Sequence, residues 1–251
     1  MLNLPRVATP RALLAPPFPL DLYFASMTRV AVVLGVCALV GASGLSTQDP
    51  PAPSMRGETL HRMTLLRAAP GRLLELVAAV KGRGLVLRHS QGDQWDLMVL
   101  APVAGYADLA GAPPLADLAL VAWQEDELVR GPDVARLDGF AAAGLYHVEM
   151  FVALAGRRGD LIREREMENA YLAALGRPRN AIFVRELGAA WDAFTIGAYR
   201  SWKHFAERDD IPPDRSTAAA RAAGVDGDDR IGPYLRSLIQ SHHDTLATPV
   251  R

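Results

Sequence analysis

One five-residue pattern occurs twice in this chain, and any fold assigned to it has to accommodate the duplication. Gly92-Asp93-Gln94-Trp95-Asp96 returns as Gly188-Ala189-Ala190-Trp191-Asp192. Each Gly-x-x-Trp-Asp follows an apolar run and opens another. The runs are Leu85-Val86-Leu87 and Leu97-Met98-Val99-Leu100 in the first copy. In the second they are Ala181-Ile182-Phe183-Val184 and Ala193-Phe194-Thr195-Ile196. Two short β-rich runs joined by a few residues that include glycine predict a hairpin. A repeat of this length sets the element order of the whole fold.

The match extends upstream. His61-Arg62-Met63-Thr64-Leu65-Leu66 precedes Pro70-Gly71, and His147-Val148-Glu149-Met150-Phe151-Val152 precedes Ala155-Gly156. Each reads as a strand, a turn and then a helix. The first helix is short, with Leu73, Leu74, Val77 and Val80 on its apolar side, and the second runs over about residues 160–175. Helical patterns follow each hairpin, near residues 106–109 and 200–207. Both halves therefore read strand–helix–strand–strand–helix, and two additional helices are expected near residues 115–129 and 231–247.

This duplicated order, over roughly residues 60–110 and 144–206, resembles the dimeric α/β-barrel superfamily of ferredoxin-like modules. The resemblance implies an α+β fold in which two ferredoxin-like modules place their antiparallel sheets together to form one barrel, with extra helices outside. A tandem copy lets one chain build what others build by dimerising. Members include cofactor-free monooxygenases, lactone isomerases, stress-response proteins and haem enzymes such as chlorite dismutase. The resemblance rests on architecture and carries no catalytic motif, so it leaves the chemistry open.

The first part of the chain reads as an address. Residues 1–26 look like an upstream extension. Residues 27–43 read as a signal peptide: Arg29 precedes a short apolar run that ends in Val40-Gly41-Ala42-Ser43. The run is too short for a membrane span, which needs about 20 apolar residues. The single cysteine, Cys37, lies inside it, so the mature exported protein would be free of thiols. Residues 44–58 read as a flexible linker, 59–143 as the first module with a connecting helix, and 144–251 as the second module with C-terminal helices. Lys plus Arg (27) nearly balance Asp plus Glu (28), which gives no basic footprint for nucleic acid. No phosphate loop, dinucleotide fingerprint or serine elbow is present.

Chemistry is sought where polar residues interrupt apolar faces. On the 160–175 helix, Leu161, Leu172 and Leu175 define a stripe at about 100° per residue, with Glu168 near its centre and Glu164 one turn earlier. Two carboxylates on a core-facing stripe are costly unless cations or a metal pair with them. The nearby arginines Arg157, Arg158, Arg163 and Arg165 offer a purely structural explanation. In the expected C-terminal helix, His242 falls on the apolar stripe, His243 at its edge, and Asp244 points away. Asp244 is then either a surface ion or the partner orienting an imidazole on another element. On the strand at 146–153, His147 and Glu149 share one face two residues apart. If that face lines the barrel, both project into a cavity alongside Asp192. His61 is read as the first-half counterpart of His147, with Met63 in place of the acid. Trp95, Trp191 and their aspartates are read as structural.

The expected site is therefore His147, Glu149, Glu164, Glu168 and His242, as ligands for a divalent metal such as Mn, Fe or Zn. Without a metal, Glu168 and His147 serve as acid and base, provided no cation neutralises Glu168. A haem enzyme with His147 or His242 as axial ligand is a third reading, although no haem motif is visible. The expected function is an exported barrel protein that binds a small molecule or a metal, of oxygenase or isomerase type if it is an enzyme. The alternative is a noncatalytic binding or assembly module with structural buried ion pairs. A small-molecule ligand is the expected partner, a homodimer is compatible, and neither nucleic acid nor stable membrane insertion after signal removal is expected.

Overall fold

The computed structural model describes residues 54–91, 94–109, 112–188 and 190–251. The expected extension, signal peptide and most of the linker lie outside the described residues. Eight strands make up the sheet: β1 (Thr59–Ala68), β2 (Leu85–Gln91), β3 (Leu97–Pro102), β4 (Val121–Gly131), β5 (Leu145–Ala153), β6 (Asn180–Leu187), β7 (Ala193–Tyr199) and β8 (Ile239–Pro249). The α-helices are α1 (Leu73–Val80), α2 (Arg158–Ala174), α3 (Trp202–Ala206), α4 (Pro213–Ala222) and α5 (Asp228–Arg236). The strands close into a ring in the order β1-β3-β2-β8-β5-β7-β6-β4, with β4 returning to β1 and every pairing antiparallel.

Each half has the same internal order, with its last strand beside its first and its third beside its second. The halves join by edges, β2 on β8 and β6 on β4. This arrangement leaves no free edge in the ring. It also places α1 on the outside of the first half, over Leu66, Val86, Leu97 and Val99. Helices α2 and α5 cover the outside of the second half, over Phe151 and Ala153.

The repeated Trp-Asp has the same job in both halves. The Asp96 N–H donates to the Leu66 carbonyl, and its carboxylate accepts from the Ala68 N–H at 2.8 Å. Asp192 does likewise with Phe151 and Ala153, also at 2.8 Å. Each hairpin aspartate thus ties its loop to the end of the module's first strand, and each tryptophan is buried in the barrel. Gly188 has φ +125°, and a Cβ there would lie 2.8 Å from Glu127 Cγ, which accounts for the glycine in the second copy. Asp192→Ala removes the acceptor for a strand-end N–H. It is expected to lower stability by about 1–3 kcal/mol, read from the urea midpoint, with Asp96→Ala behaving alike.

Three expectations are corrected. The additional helices at 115–129 and 231–247 are instead mainly the strands β4 and β8. The first begins as a single 3-10 turn, Leu118–Leu120, and the second as α5. The apolar stripe Leu235, Leu238 and Ile239 runs across the end of α5 into β8, so two elements mimic one helical face. The rest of β8, from Gln240 to Pro249, is mostly polar and has two threonines, and its strand form comes from pairing with neighbouring strands rather than from local preference. Strand β5 offers an edge to β8, as β1 does to β4.

Second, His147 and Glu149 do not line the barrel. Tyr146, Val148 and Met150 point inward and join Met63, Leu65, Met98, Leu100, Phe183 and Phe194 in the core. Both faces of β5 are covered, one by the barrel and the other by α2, so alternation alone did not tell inside from outside.

Third, the counterpart of His147 is Arg62. Leu66 and Phe151 receive equivalent bonds from Asp96 and Asp192, which aligns Thr64 with Glu149 and His61 with Tyr146. His61 accordingly faces the barrel interior, edge-on to Phe183 at 5.5 Å.

Candidate functional site

The outer face of the second sheet carries a connected polar cluster. It is positioned by β5, β8 and β7 from below and by α2 from above. Register pairs Glu149 with Asp244 and Phe151 with His242 across β5 and β8, and Glu149 with Thr195 across β5 and β7. Side chains at alternate positions of neighbouring strands stand on one face, so His147, Glu149, His242 and Asp244 share a surface.

Asp244 bridges the two imidazoles. Its Oδ1 lies 3.4 Å from His147 Nε2, and its Oδ2 lies 3.0 Å from His242 Nε2. His242 is held further by Arg236, whose Nη1 is 3.0 Å from Nδ1, and its ring stacks on Phe151 at 6.0 Å. Glu149 Oε2 accepts from the Thr195 hydroxyl at 3.2 Å. His147, Glu149 and Asp244 each present a donor atom, and these three lie within 4.8 Å of one another.

Helix α2 supplies the cation. Arg165 is 2 % exposed and makes a bidentate pair with Glu164, at 2.6 and 2.7 Å. Its Nη1 lies 2.7 Å from Glu168 Oε2, off the N–H direction, and 3.6 Å from Glu149 Oε2. The guanidinium also covers the Phe151 ring at 5.0 Å.

These neighbours set the charge states. Burial raises the Glu149 pKa, the Glu168 carboxylate raises it further, and Arg165 and His147 only partly oppose them, leaving it at about 7. Burial lowers the His147 pKa, but Asp244, Glu149 and Glu168 outweigh that effect and raise it. Asp244 is lowered by its hydrogen bond from His147, against burial, with His242 adding to the effect. Burial raises Glu164 despite Arg165. Within this cluster the acid with the strongly raised pKa is thus Glu149. Glu168 has a cation against it, the circumstance in which the expected acid–base role does not apply.

Of the five expected ligands, His147 and Glu149 converge with Asp244, and His242 joins through Asp244. Glu164 and Glu168 are engaged by Arg165. Two central residues were not among the expected ligands. Asp244 was read as a surface ion or as the partner of an imidazole on another element, and the contact with His147 on β5 is of the second kind; alternation on a strand is what also puts it beside His242. Arg165 appeared in the sequence only as one of several arginines in a charged run.

The equivalent surface of the first half makes a telling comparison. There Asp126 occupies the place of Asp244, Arg62 that of His147, Thr64 that of Glu149 and Gln124 that of His242. Asp126 accepts from Arg62 at 2.9 and 3.0 Å, from Thr64, and from Gln124 at 2.6 Å. The first half therefore holds a closed ion-pair network around its aspartate. The second half replaces the permanent cation and the hydroxyl with two titratable, metal-competent groups.

Both nitrogens of His242 are engaged, and the His147 ring lies 5.5 Å from Phe205.

No protein-family profile matches the chain, and no curated protein matches it in sequence. Solved structures do resemble it. An anthrone oxidase-like protein superposes with a TM-score of 0.54 at 11% identity, over 79% of this chain and 94% of that one. A haem-binding protein from Thermus thermophilus gives 0.40 at 12% identity, over 80% and 95%. A mutant chlorite dismutase from Candidatus Nitrospira defluvii gives 0.44 at 11% identity, over 77% and 93%. The chain shares the barrel fold of the anthrone oxidase-like structure, built here from two similar halves of one chain.

Proposed function

We propose that the second module binds a divalent transition metal through His147, Glu149 and Asp244, and that a small molecule reacts or is held beside that metal. The observation that carries this reading is the three-donor group within 4.8 Å, at positions where the first half has a closed Arg62–Asp126 pair. One imidazole and two carboxylates suit Mn, Fe or Zn. The metal would act as a Lewis acid. A Lewis acid beside a bound small molecule suits chemistry of the isomerase or oxygenase type. Arg165 keeps Glu164 and Glu168 out of the metal's reach.

The test is thermal unfolding of the purified chain with Mn, Fe(II) or Zn. A metal at about 100 times its Kd stabilises by about 2.7 kcal/mol, so a rise of several degrees is expected. His147→Ala and Glu149→Gln are each expected to weaken binding more than tenfold. No shift with any of the three metals would sink the proposal, as would an equal shift in both variants. Arg165's pairing with three carboxylates supports a second reading, in which the cluster is purely structural and the chain a noncatalytic binding or assembly module; the absence of any metal effect selects it.

We further propose that the protein is exported. The support is Arg29, the apolar run after it and Ala42, together with the absence of cysteine from residues 54–251. Among the described residues no helix is long and apolar enough to cross a membrane. Mass measurement of the secreted or periplasmic chain, with a new N-terminus near Ser43, checks it.

A further inference from the structure

At one end of the barrel, away from the polar cluster, lies a cavity of about 410 Å³. Its walls are mainly apolar, formed by Leu85, Leu100, Val134, Phe140 and Tyr146, with His61 projecting from β1. This size and lining match the general character of small-molecule sites.

The polar groups around the cavity are engaged, with one exception. The Tyr146 hydroxyl donates to the Phe140 carbonyl. Asp133 accepts from the Ala135 N–H and pairs with Arg136, and Arg251 donates to the carbonyls of Ala142 and Ala143. His61 is 1 % exposed, and its Nδ1 lies 3.0 Å from the Thr59 carbonyl. A carbonyl only accepts, so Nδ1 carries the hydrogen and Nε2 is left with its lone pair. Burial lowers the His61 pKa, outweighing the Thr59 carbonyl and Asp133, so the ring is neutral near pH 7. Among the described residues Nε2 makes no hydrogen bond or ion pair. His61 lines the cavity, and a ligand there that carries a donor hydrogen can pair with the Nε2 lone pair.

We propose that this cavity binds a small aromatic molecule of the phenol class, whose hydroxyl donates to His61 Nε2 while its ring packs among Leu85, Leu100, Phe140 and Tyr146. The acceptor is neutral, which favours an uncharged donor over a carboxylate or phosphate. A phenol is a stronger donor than an alcohol and offers a flat apolar face to the walls. The site is separate from the His147 cluster, and neither reading depends on the other.

The experiment is a fluorescence titration of the full chain with 1-naphthol and with 1-methoxynaphthalene, which has the same rings but no donor. The naphthol is expected to bind at least tenfold more tightly. In His61→Phe the preference should fall to within twofold while the ether still binds, which shows that the variant is folded. Val134→Trp, which fills the cavity, should abolish binding of both. Equal affinities in the unaltered protein, no binding of either probe, or binding that survives Val134→Trp would each overturn the proposal. The first comparison changes only the ligand, so it stands even if a variant fails to fold.

Discussion

Arg165→Met should destabilise the protein by about 3–5 kcal/mol, the cost typical of removing one partner from a buried ion cluster. The methionine fills similar space, so the loss is electrostatic rather than a cavity effect. Among the described residues Arg165 is the one cation paired with all three of the carboxylates of Glu149, Glu164 and Glu168. Glu164 is itself 2 % exposed, and without the guanidinium it has no route to water. The loss should be read from urea unfolding at pH 8 and at pH 5. It should be smaller at pH 5, because protonation of carboxylates whose pKa is already raised removes the unpaired charge. Adding Gln at Glu149, Glu164 and Glu168 to the Arg165→Met background should recover most of the stability. A loss below about 1 kcal/mol, smaller than a buried pair implies, or one unchanged by the three Gln substitutions, would show that water reaches the cluster and that Arg165 does not hold it together.

The sequence made the architecture more legible than the orientation of its parts. Gly-x-x-Trp-Asp was readable as a repeat because Asp96 and Asp192 each make the same pair of bonds to a first strand, and such a bond demands a fixed residue at a fixed place. The helix on 160–175 was readable because its Arg, Glu, Leu and Ala residues favour helix locally, whatever it packs against. Strands β4 and β8 were not readable, since each is stabilised by pairing with a strand distant in sequence. Their local patterns, such as Leu235-x-x-Leu238-Ile239, imitate a helix. The same misreading moved Asp244 away from His242 and so concealed its second contact, the one that makes it a bridge between the two histidines. The inward or outward turn of His147 was hidden for another reason: β5 is buried on both sides, so hydrophobicity does not separate the faces. His61 and His147 looked equivalent because both open their strands, but the bonds made by Asp96 and Asp192 shift the true match by one residue. In a strand that shift carries a side chain to the opposite face.

Glu127→Gln should stabilise the protein at pH 8 by about 2 kcal/mol and change it little at pH 4.5, the pattern expected of a buried carboxyl with a raised pKa. Glu127 points into the barrel from β4 and is 2 % exposed. Its Oε1 accepts from the Trp191 N–H at 2.8 Å, and its Oε2 is buried with no partner among the described residues. Glu125, two residues away on the same face, has a buried Oε1 in the same condition. Burial raises the Glu127 pKa to about 7, the Trp191 and Ala190 N–H groups and Arg185 oppose the rise, and Glu125 adds to it. In the unfolded chain the same carboxyl titrates near 4.5. Between these values the folded state holds more protons than the unfolded one, so this group's contribution to stability is complete below 4.5 and is lost as pH rises through 7. The full interval corresponds to about 3 kcal/mol at about 1.4 kcal/mol per pH unit, and relaxation of the site reduces what is observed. Glutamine keeps an oxygen for the Trp191 N–H and carries no charge at any pH. The difference between variant and parent therefore isolates this one group, since Glu149 titrates alike in both. Urea midpoints at pH 4.5, 6 and 8 should diverge progressively. A difference independent of pH would mean that Glu127 stays ionised in the fold, with a cation or water reaching Oε2 inside the barrel.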